Sequence, residues 1–458
     1  MRNTFLAGLS FIVLLAAGCS GNSPAPDSLS AVPNLNLGSA TRGSSRASSY
    51  TESLLHRFKS SPDAASPEAG LIFDAAGKLY GTTIAGGTDS ACPGGYDGGC
   101  GTVFTIDASG EERILYSFAG KPDASQPFAA LLLESGKLYG TTASGGNVAA
   151  CYSYGGNGCG TVFEVDKRGA ETLLYQFQGN FGSGKGDGQG PKGGLVSNAA
   201  GNLYGTTPFG GAYESGTVFS VTKRGKERVL YSFTGYDDGG RPYSGVVRDA
   251  AGNLYGVAYF GGNQQCTGGC GTIFKLDNAG TLTTLYRFKG KKDGGNPIGG
   301  LVMDAAGNLY GTAQNYGNLK CNKRGGNPGC GTVFKLGPAN KFTVLHDFAG
   351  SPDGAVPSES LILDEQGNLY GTTSFGGDET CNGGYSCGVA FEVSASGHES
   401  VLYSFTGGKN DGEVPYGGLA RDAMGNLYGT TVSGGVGPCS QGCGVVFKLT
   451  PRSISRAR

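Results

Sequence analysis

Leu79-Tyr80-Gly81-Thr82-Thr83 returns, intact or nearly so, six more times along this 458-residue chain. The copies begin at Leu138, Leu203, Leu254, Leu309, Leu369 and Leu427, at spacings of 51 to 65 residues. Self-similarity at such a period marks a repeat architecture, in which one supersecondary unit stacks on copies of itself. In the first copy, Leu71-Ile72-Phe73 precedes a turn at Asp74-Ala75-Ala76-Gly77, and the run 78–84 follows. A Gly-rich insert with two cysteines then leads to Gly101-Thr102-Val103-Phe104-Thr105-Ile106. A second turn, Asp107-Ala108-Ser109-Gly110, opens residues 111–118, where Ile114, Tyr116 and Phe118 share one side of a period-2 pattern. Each run has strand length, is rich in β-branched and aromatic residues, and is bounded by turn residues. Asp first and Gly fourth suit a type I turn followed by a residue at positive φ, and the carboxylate accepts from amides within the turn. The pattern recurs at Asp249, Asp304, Asp364 and Asp422 after the first run, and at Asp166 and Asp277 after the third. Each repeat therefore reads as a four-stranded antiparallel meander.

Seven such sheets must stack to bury their faces, and radial stacking gives a β-propeller with only short, protected edges. The counting of motifs predicts a closed ring. The Leu-Tyr-Gly and Gly-Thr-Val-Phe runs, or close variants, each occur seven times, and no fourth run follows the last pair. The missing run sits at the other end, because 52–58 (Glu-Ser-Leu-Leu-His-Arg-Phe) matches 171–177 (Glu-Thr-Leu-Leu-Tyr-Gln-Phe). The expected fold is an all-β, seven-bladed propeller over 51–450, closed by its N-terminal strand and followed by a tail at 451–458. Composition agrees, with 87 glycines and 16% charged residues. Gly-Gly pairs at Gly193, Gly299 and Gly417 open first strands, where crowding at the axis would exclude side chains.

Residues 1–19 read as an export signal: Arg2, an apolar stretch from Phe5 to Ala17 too short to span a bilayer, then Leu15-Ala16-Ala17-Gly18-Cys19. That ending resembles the lipobox of bacterial lipoproteins, which implies lipidation at Cys19; Ala16 stands where a Leu is usual. An ordinary secretory signal is the alternative. Ser20 lacks the Asp that marks inner-membrane retention in such lipoproteins, so the outer membrane is the expected destination. Residues 20–50, rich in Ser, Ala, Pro and Gly, suit a disordered tether.

Apart from Cys19, the cysteines fall into within-repeat pairs: Cys92 with Cys100, Cys151 with Cys159, Cys266 with Cys270, Cys321 with Cys330, Cys381 with Cys387, and Cys439 with Cys443. The third repeat lacks both members together, so the partners are local. Disulfides belong to oxidising compartments, and loops this small gain only ~2–3 kcal/mol each in the chain-entropy model. Cys266 to Cys270 and Cys439 to Cys443 have the spacing of half a zinc site, but no second ligand pair accompanies either.

The tandem units, with Gly-Asn-Leu-Tyr-Gly-Thr-Thr at 201–207 and Gly-Cys-Gly-Thr-Val-Phe at 158–163, resemble the bacterial GloVer repeat family, the choice-of-anchor tandem repeat proteins. The likeness covers 52–450. It implies a repeat protein attached by one of several surface anchors, and it lends no catalytic residues. A looser likeness to NHL and SMP-30 propellers, through Asp-Ala-Ala-Gly-Asn-Leu-Tyr at 304–310, marks the hairpin alone.

Chemistry is sparse. His56 and His346 occupy the slot of Tyr116, Tyr175 and Tyr231, which reads as packing, and His398 follows a turn. No Ser-His-Asp arrangement can be argued and nothing resembles a phosphate loop, and a net charge of −1 without a basic run gives no reason to expect nucleic acid. One motif remains: the connection into each repeat carries Asp, three residues, then Pro, at Asp63, Asp123, Asp187, Asp238, Asp293, Asp353 and Asp411. Strand alternation puts these connections on the same face as the cysteine inserts, and binding residues concentrate on such loops. Each Asp either caps its own loop or serves a ligand site, where oxygen-only donors would suit Ca2+; no other cofactor or metal is implied. The expected function is a non-catalytic, monomeric binding or scaffold protein of the cell envelope, taking a protein or glycan ligand. A lactonase, lyase or glycan-active hydrolase is the alternative.

Overall fold

The computed structural model describes residues 50–88, 92, 98–146, 151, 158–179, 186–321, 328–381 and 386–452. Cys19, the expected signal, residues 20–49 of the expected tether and the last six residues lie outside them, whereas Tyr50, expected in the tether, begins a strand. Seven four-stranded antiparallel sheets form the blades of a seven-bladed β-propeller. Blade 1 runs from the axis outward through Ile72–Phe73, Leu79–Thr83, Thr102–Ile106 and Glu112–Ser117, and blades 2 to 6 repeat the order. In blade 7 the outer strand is Tyr50–Arg57, paired antiparallel with Val445–Pro451. The N-terminal strand thus closes the ring, as the motif count predicts. The innermost strands keep their ladder over only two residues, or three in blade 2, where sequence suggested full strands. Crowding at the axis explains this. A Cβ on Gly193, Gly299 or Gly417 would meet the next blade's backbone at 2.2, 2.4 or 2.6 Å, or closer still a threonine hydroxyl at 2.3 Å for Gly417.

The repeated motifs are the contacts that stack the blades. Gly81 of Leu-Tyr-Gly faces Phe104 across the sheet, and a Cβ there would stand 2.6 Å from that ring. The same glycine–phenylalanine pair occurs in every blade, from Gly140 with Phe163 to Gly429 with Phe447. Each such phenylalanine meets, edge to face, the last aromatic of the preceding blade's outer strand. The seven pairs are Phe58–Phe104, Phe118–Phe163, Phe177–Phe219, Phe233–Phe274, Phe288–Phe334, Phe348–Phe391 and Phe405–Phe447, with centroids 5.0–5.3 Å apart. Edge-to-face pairs at this separation contribute about 0.5–1.5 kcal/mol beyond area burial. The first threonine of Leu-Tyr-Gly-Thr-Thr bonds a carbonyl of the next blade, as Thr82 does to Ala129 and Thr430 to Ala69. The second bonds within its blade, as in Thr83 with Thr102 at 2.9 Å.

The glycine of Gly-Thr-Val-Phe has the tightest role. A Cβ on Gly101 would stand 2.3 Å from the Thr83 carbonyl and 2.8 Å from Cδ of Pro127, the proline of the next connection. The equivalent contact recurs at all seven junctions, ending with Gly444 under Pro67 at the seam. The hairpins behave as the sequence predicts. In the first, Gly77 N–H donates to the Asp74 carbonyl, and Asp74 Oδ1 accepts from the amides of Ala76 and Lys78. Asp74 Oδ2 also accepts from the Tyr80 phenol at 3.0 Å, which ties the hairpin to the second strand.

Six disulfides close within the inserts: Cys92–Cys100, Cys151–Cys159, Cys266–Cys270, Cys321–Cys330, Cys381–Cys387 and Cys439–Cys443, with Cα atoms 5.0–5.8 Å apart. Five of them pack on the glycine that follows the outer strand, such as Gly120 beside Cys92 Sγ, and Cys443 packs on Gly437 of its own insert. In blade 3 Ser215 takes that place beside Gly235. Six disulfides are the mark of export to an oxidising compartment.

Candidate functional site

The connections and inserts emerge on one face and pair with each other, as Ala64–Ala65 does with Ala85–Gly86. The seven aspartates of the connections are capping residues on that face. Each accepts a backbone amide from the end of the preceding outer strand, from Lys59, Ala119, Gln178, Thr234, Lys289, Ala349 or Thr406, at 2.7–3.0 Å. Each also engages an aromatic of that strand. Tyr116, Tyr231, Tyr286 and Tyr403 donate to Asp123, Asp238, Asp293 and Asp411 at 2.8–3.0 Å, and Tyr175 donates to Asp187. His346 Nε2 lies 3.1 Å from Asp353, and His56 Nε2 lies 3.6 Å from Asp63. These carboxylates sit over the outer strands and do not line the axis. Some repeats depart in charge in their connections or inserts, at Lys185 to Asp187, Asp237 with Arg241, and Lys320 to Arg324. The Asp237 carbonyl accepts from Arg287 Nε, and Arg241 lies 5.2 and 5.1 Å from the Phe209 and Phe260 rings. Lys185 and 322–327 lie outside the described residues.

The asymmetry of the propeller lies one residue beyond the proline. There the seven connections carry Glu68, Phe128, Lys192, Tyr243, Ile298, Ser358 and Tyr416. The residue before each proline varies as much, but the residue after it is the one that leads into the crowded inner strand. The position itself points to the axis, since groups from separated blades interact there. Glu68 of blade 1 feels Lys192 of blade 3, Glu359 of blade 6 feels Glu68, and the Tyr416 phenol of blade 7 feels both carboxyls and Tyr259 of blade 4. Non-neighbouring blades meet only across the channel.

Glu68 is only 7% exposed. Burial pushes its carboxyl up to about 7, against the pull of Lys192. Burial, with the repulsion of Glu68 and against an amide bond from Ser360, pushes Glu359 up to about 8. Burial and the two carboxyls hold the Tyr416 phenol far above its usual range. Lys192 Nζ lies 3.9 Å from the centre of the Phe128 ring. Tyr243 and Tyr259 meet edge to face at 5.6 Å, and the Tyr259 hydroxyl donates to Gln314 Oε1 at 3.4 Å. Aromatic rings beside a few convergent polar groups and perturbed acids are features that small-molecule sites share. Sequence reading missed it by following the invariant Asp. Aligning the connections on their prolines would have pointed to it, because the column after the proline holds six residue types in seven copies, as does the column before it.

The chain matches the model of the Gloeobacter/Verrucomicrobia repeat over residues 148–323 and 320–456. No curated protein matches the sequence. Among solved structures it is similar to a fungal alcohol oxidase of the AA5 family in complex with copper, at 12% identity over 88% of this chain and 76% of that one, with a TM-score of 0.53. It is also similar to a gluconolactonase from Xanthomonas campestris, at 11% identity over 64% of this chain and 79% of that one, with a TM-score of 0.37. At such identities these structures speak to the fold alone, and the second is too distant for any argument. The protein is a member of the Gloeobacter/Verrucomicrobia repeat family.

Proposed function

We propose that this propeller is an exported, monomeric envelope protein, anchored through a lipid on Cys19, that binds a small polyhydroxyl ligand such as a glycan end at the channel mouth without turning it over. The observation that carries the reading is the asymmetric ring after the seven prolines. In a scaffold whose stacking contacts repeat, a position that varies and faces the axis is open to selection by a ligand. Aromatic faces at Phe128, Tyr243 and Tyr416, with donors and acceptors at Glu68, Lys192 and Glu359, match the mixed surface a sugar presents. The connection face was the expected binding face; its rim carboxylates are engaged in capping, which moves the proposed site inward. A catalytic reading has one specific support: carboxyls pushed up to about 7 and 8 have the proton affinity a general acid needs at neutral pH.

A glycan screen followed by titration of variants tests the binding reading. Tyr416→Ala and Lys192→Met should each weaken the best ligand about tenfold, one hydrogen-bonding or stacking contact at 1.4 kcal/mol. Asp238→Asn should lower the melting temperature and leave affinity unchanged. The opposite pattern would place the site on the rim, and turnover of a lactone or glycan lost in Glu359→Gln would establish the catalytic reading.

Membrane fractionation tests the anchor. The chain should partition with membranes and gain label from radioactive palmitate, and Cys19→Ser should abolish both; a soluble wild-type chain would contradict it.

The axial carboxyls also set a pH dependence. Both have folded pKa values above the ordinary glutamate value of 4.5, so the fold prefers them protonated. Their stabilising contribution is complete below about 4.5 and is lost as pH rises through about 7 and 8. The melting temperature of the wild type should therefore fall, relative to Glu68→Gln/Glu359→Gln, between pH 5 and 9. Parallel curves would show that the two carboxyls do not share a buried channel.

A further inference from the structure

Two of the seven blade junctions carry a histidine where the others carry tyrosine. At the seam, His56 of blade 7 faces Asp63 of the connection, and Glu112 of blade 1's outer strand completes a trio. Between blades 5 and 6, His346, Asp353 and Glu399 form the same trio. In each, one imidazole nitrogen and two carboxylate oxygens lie within 4.8 Å of one another. An ion about 2.0–2.2 Å from each donor needs donors at most ~4.3 Å apart, which small side-chain rotations supply.

The histidine sets these two trios apart from the other junctions that carry the glutamate. Glu112 Oε1 and Glu399 Oε1 are shielded from solvent and have no hydrogen-bond partner among the described residues, as is true of Glu52, Glu171 and Glu227 Oε1 at three tyrosine junctions. Only the two histidine junctions add an imidazole nitrogen, and His56 Nε2 is itself shielded and unpartnered. A buried carboxylate oxygen left unpaired is costly, and its need is met by a proton, a water or a cation. The repeats provide an internal comparison. Where tyrosine holds the slot, its hydroxyl donates to the aspartate, as at Asp123 and Asp411. The two junctions that have lost the glutamate, replaced by Leu282 and Phe342, both keep tyrosine in the slot, at Tyr231 and Tyr286. Both histidines face a glutamate, as Tyr116, Tyr175 and Tyr403 also do, so the tyrosine junctions with glutamate lack only the nitrogen donor.

We propose that the His56–Asp63–Glu112 and His346–Asp353–Glu399 trios are two binding sites for a divalent transition ion of the zinc type, each joining the outer strands of neighbouring blades. One nitrogen and two carboxylates suit such an ion better than calcium, which takes six to eight oxygens. The histidine and aspartate side chains remain 18–20% exposed, so an ion reaches them from the connection face. At the seam the ion would join the closing strand to blade 1, so occupancy should reinforce ring closure.

The test uses the full chain, freed of metal by chelation and titrated with Zn2+. Two ions should bind per chain at micromolar free metal and raise the melting temperature. His56→Tyr and His346→Tyr, which install the residue of the sibling junctions and should fold normally, should each remove one ion, and the double variant both. Glu112→Leu, the replacement found at blade 4, should weaken the seam site at least about tenfold. No binding at millimolar Zn2+, or two ions still bound by the histidine double variant, would overturn the proposal. Zinc bound equally by wild type and Glu112→Leu/Glu399→Leu would overturn it as well, by reducing the trios to simple His–Asp pairs.

Discussion

A proline ring pressed onto a glycine of the preceding blade is the contact on which the rest of this propeller depends. It sets how far one blade stands from the next, and a Cβ on Gly101, Gly271 or Gly444 would have nowhere to go, with carbonyl oxygens at 2.3–2.6 Å and proline Cδ at 2.6–2.8 Å. Interiors packed to this density do not absorb an extra methyl without moving backbone. Once the spacing is fixed, the other motif residues follow. The phenylalanine of Gly-Thr-Val-Phe reaches back to the aromatic of the preceding blade and lies over the glycine of Leu-Tyr-Gly in its own. The first threonine finds its carbonyl in the next connection. The same contacts at Gly444 with Pro67 and at Phe58 with Phe104 cross the seam, so the closed ring has no special joint.

A scaffold this constrained restricts where function is written. Positions that hold the blades apart are shared by all seven repeats and cannot discriminate between ligands. Two sets of positions escape: the residue after each proline, which meets its counterparts across the channel, and the outer-strand slots where histidine and glutamate face each other between blades. The disulfides fix the inserts on the same face but span too little chain to hold the ring. The axial ring mixes acids, a lysine and aromatics, whereas the outer trios hold only ligating groups. They suit different tasks, one recognising a ligand and the other reinforcing the ring.

The fold was legible because its determinants are local and repeated. Asp74 and its equivalents announce hairpins through their own backbone bonds, and the joint absence of two cysteines in blade 3 reveals their partnership. The displaced match between 52–58 and 171–177 exposes the seam. The site was less legible because its residues are far apart in sequence: Glu68 and Glu359 meet only when the ring closes, and Glu399 reaches His346 from the next repeat. The invariant aspartates drew the reading outward, although repetition in all seven blades was itself the sign of a capping role. His56 and His346 looked like packing residues because the Tyr slot was visible in sequence and the facing glutamate was not.

The most direct test of the account compares Gly444→Ala with Gly307→Ala by thermal unfolding. Both glycines have positive φ, +91° and +79°, so alanine strains the backbone similarly at each. Gly307 has nothing within 4 Å of its Cβ position, whereas Gly444 has the Thr431 carbonyl at 2.4 Å and Pro67 Cδ at 2.7 Å. If the proline–glycine contact governs blade stacking, Gly444→Ala should cost about 1–3 kcal/mol more than Gly307→Ala. Equal losses of stability would show that the contact is incidental and that the blades are held at their spacing by other means.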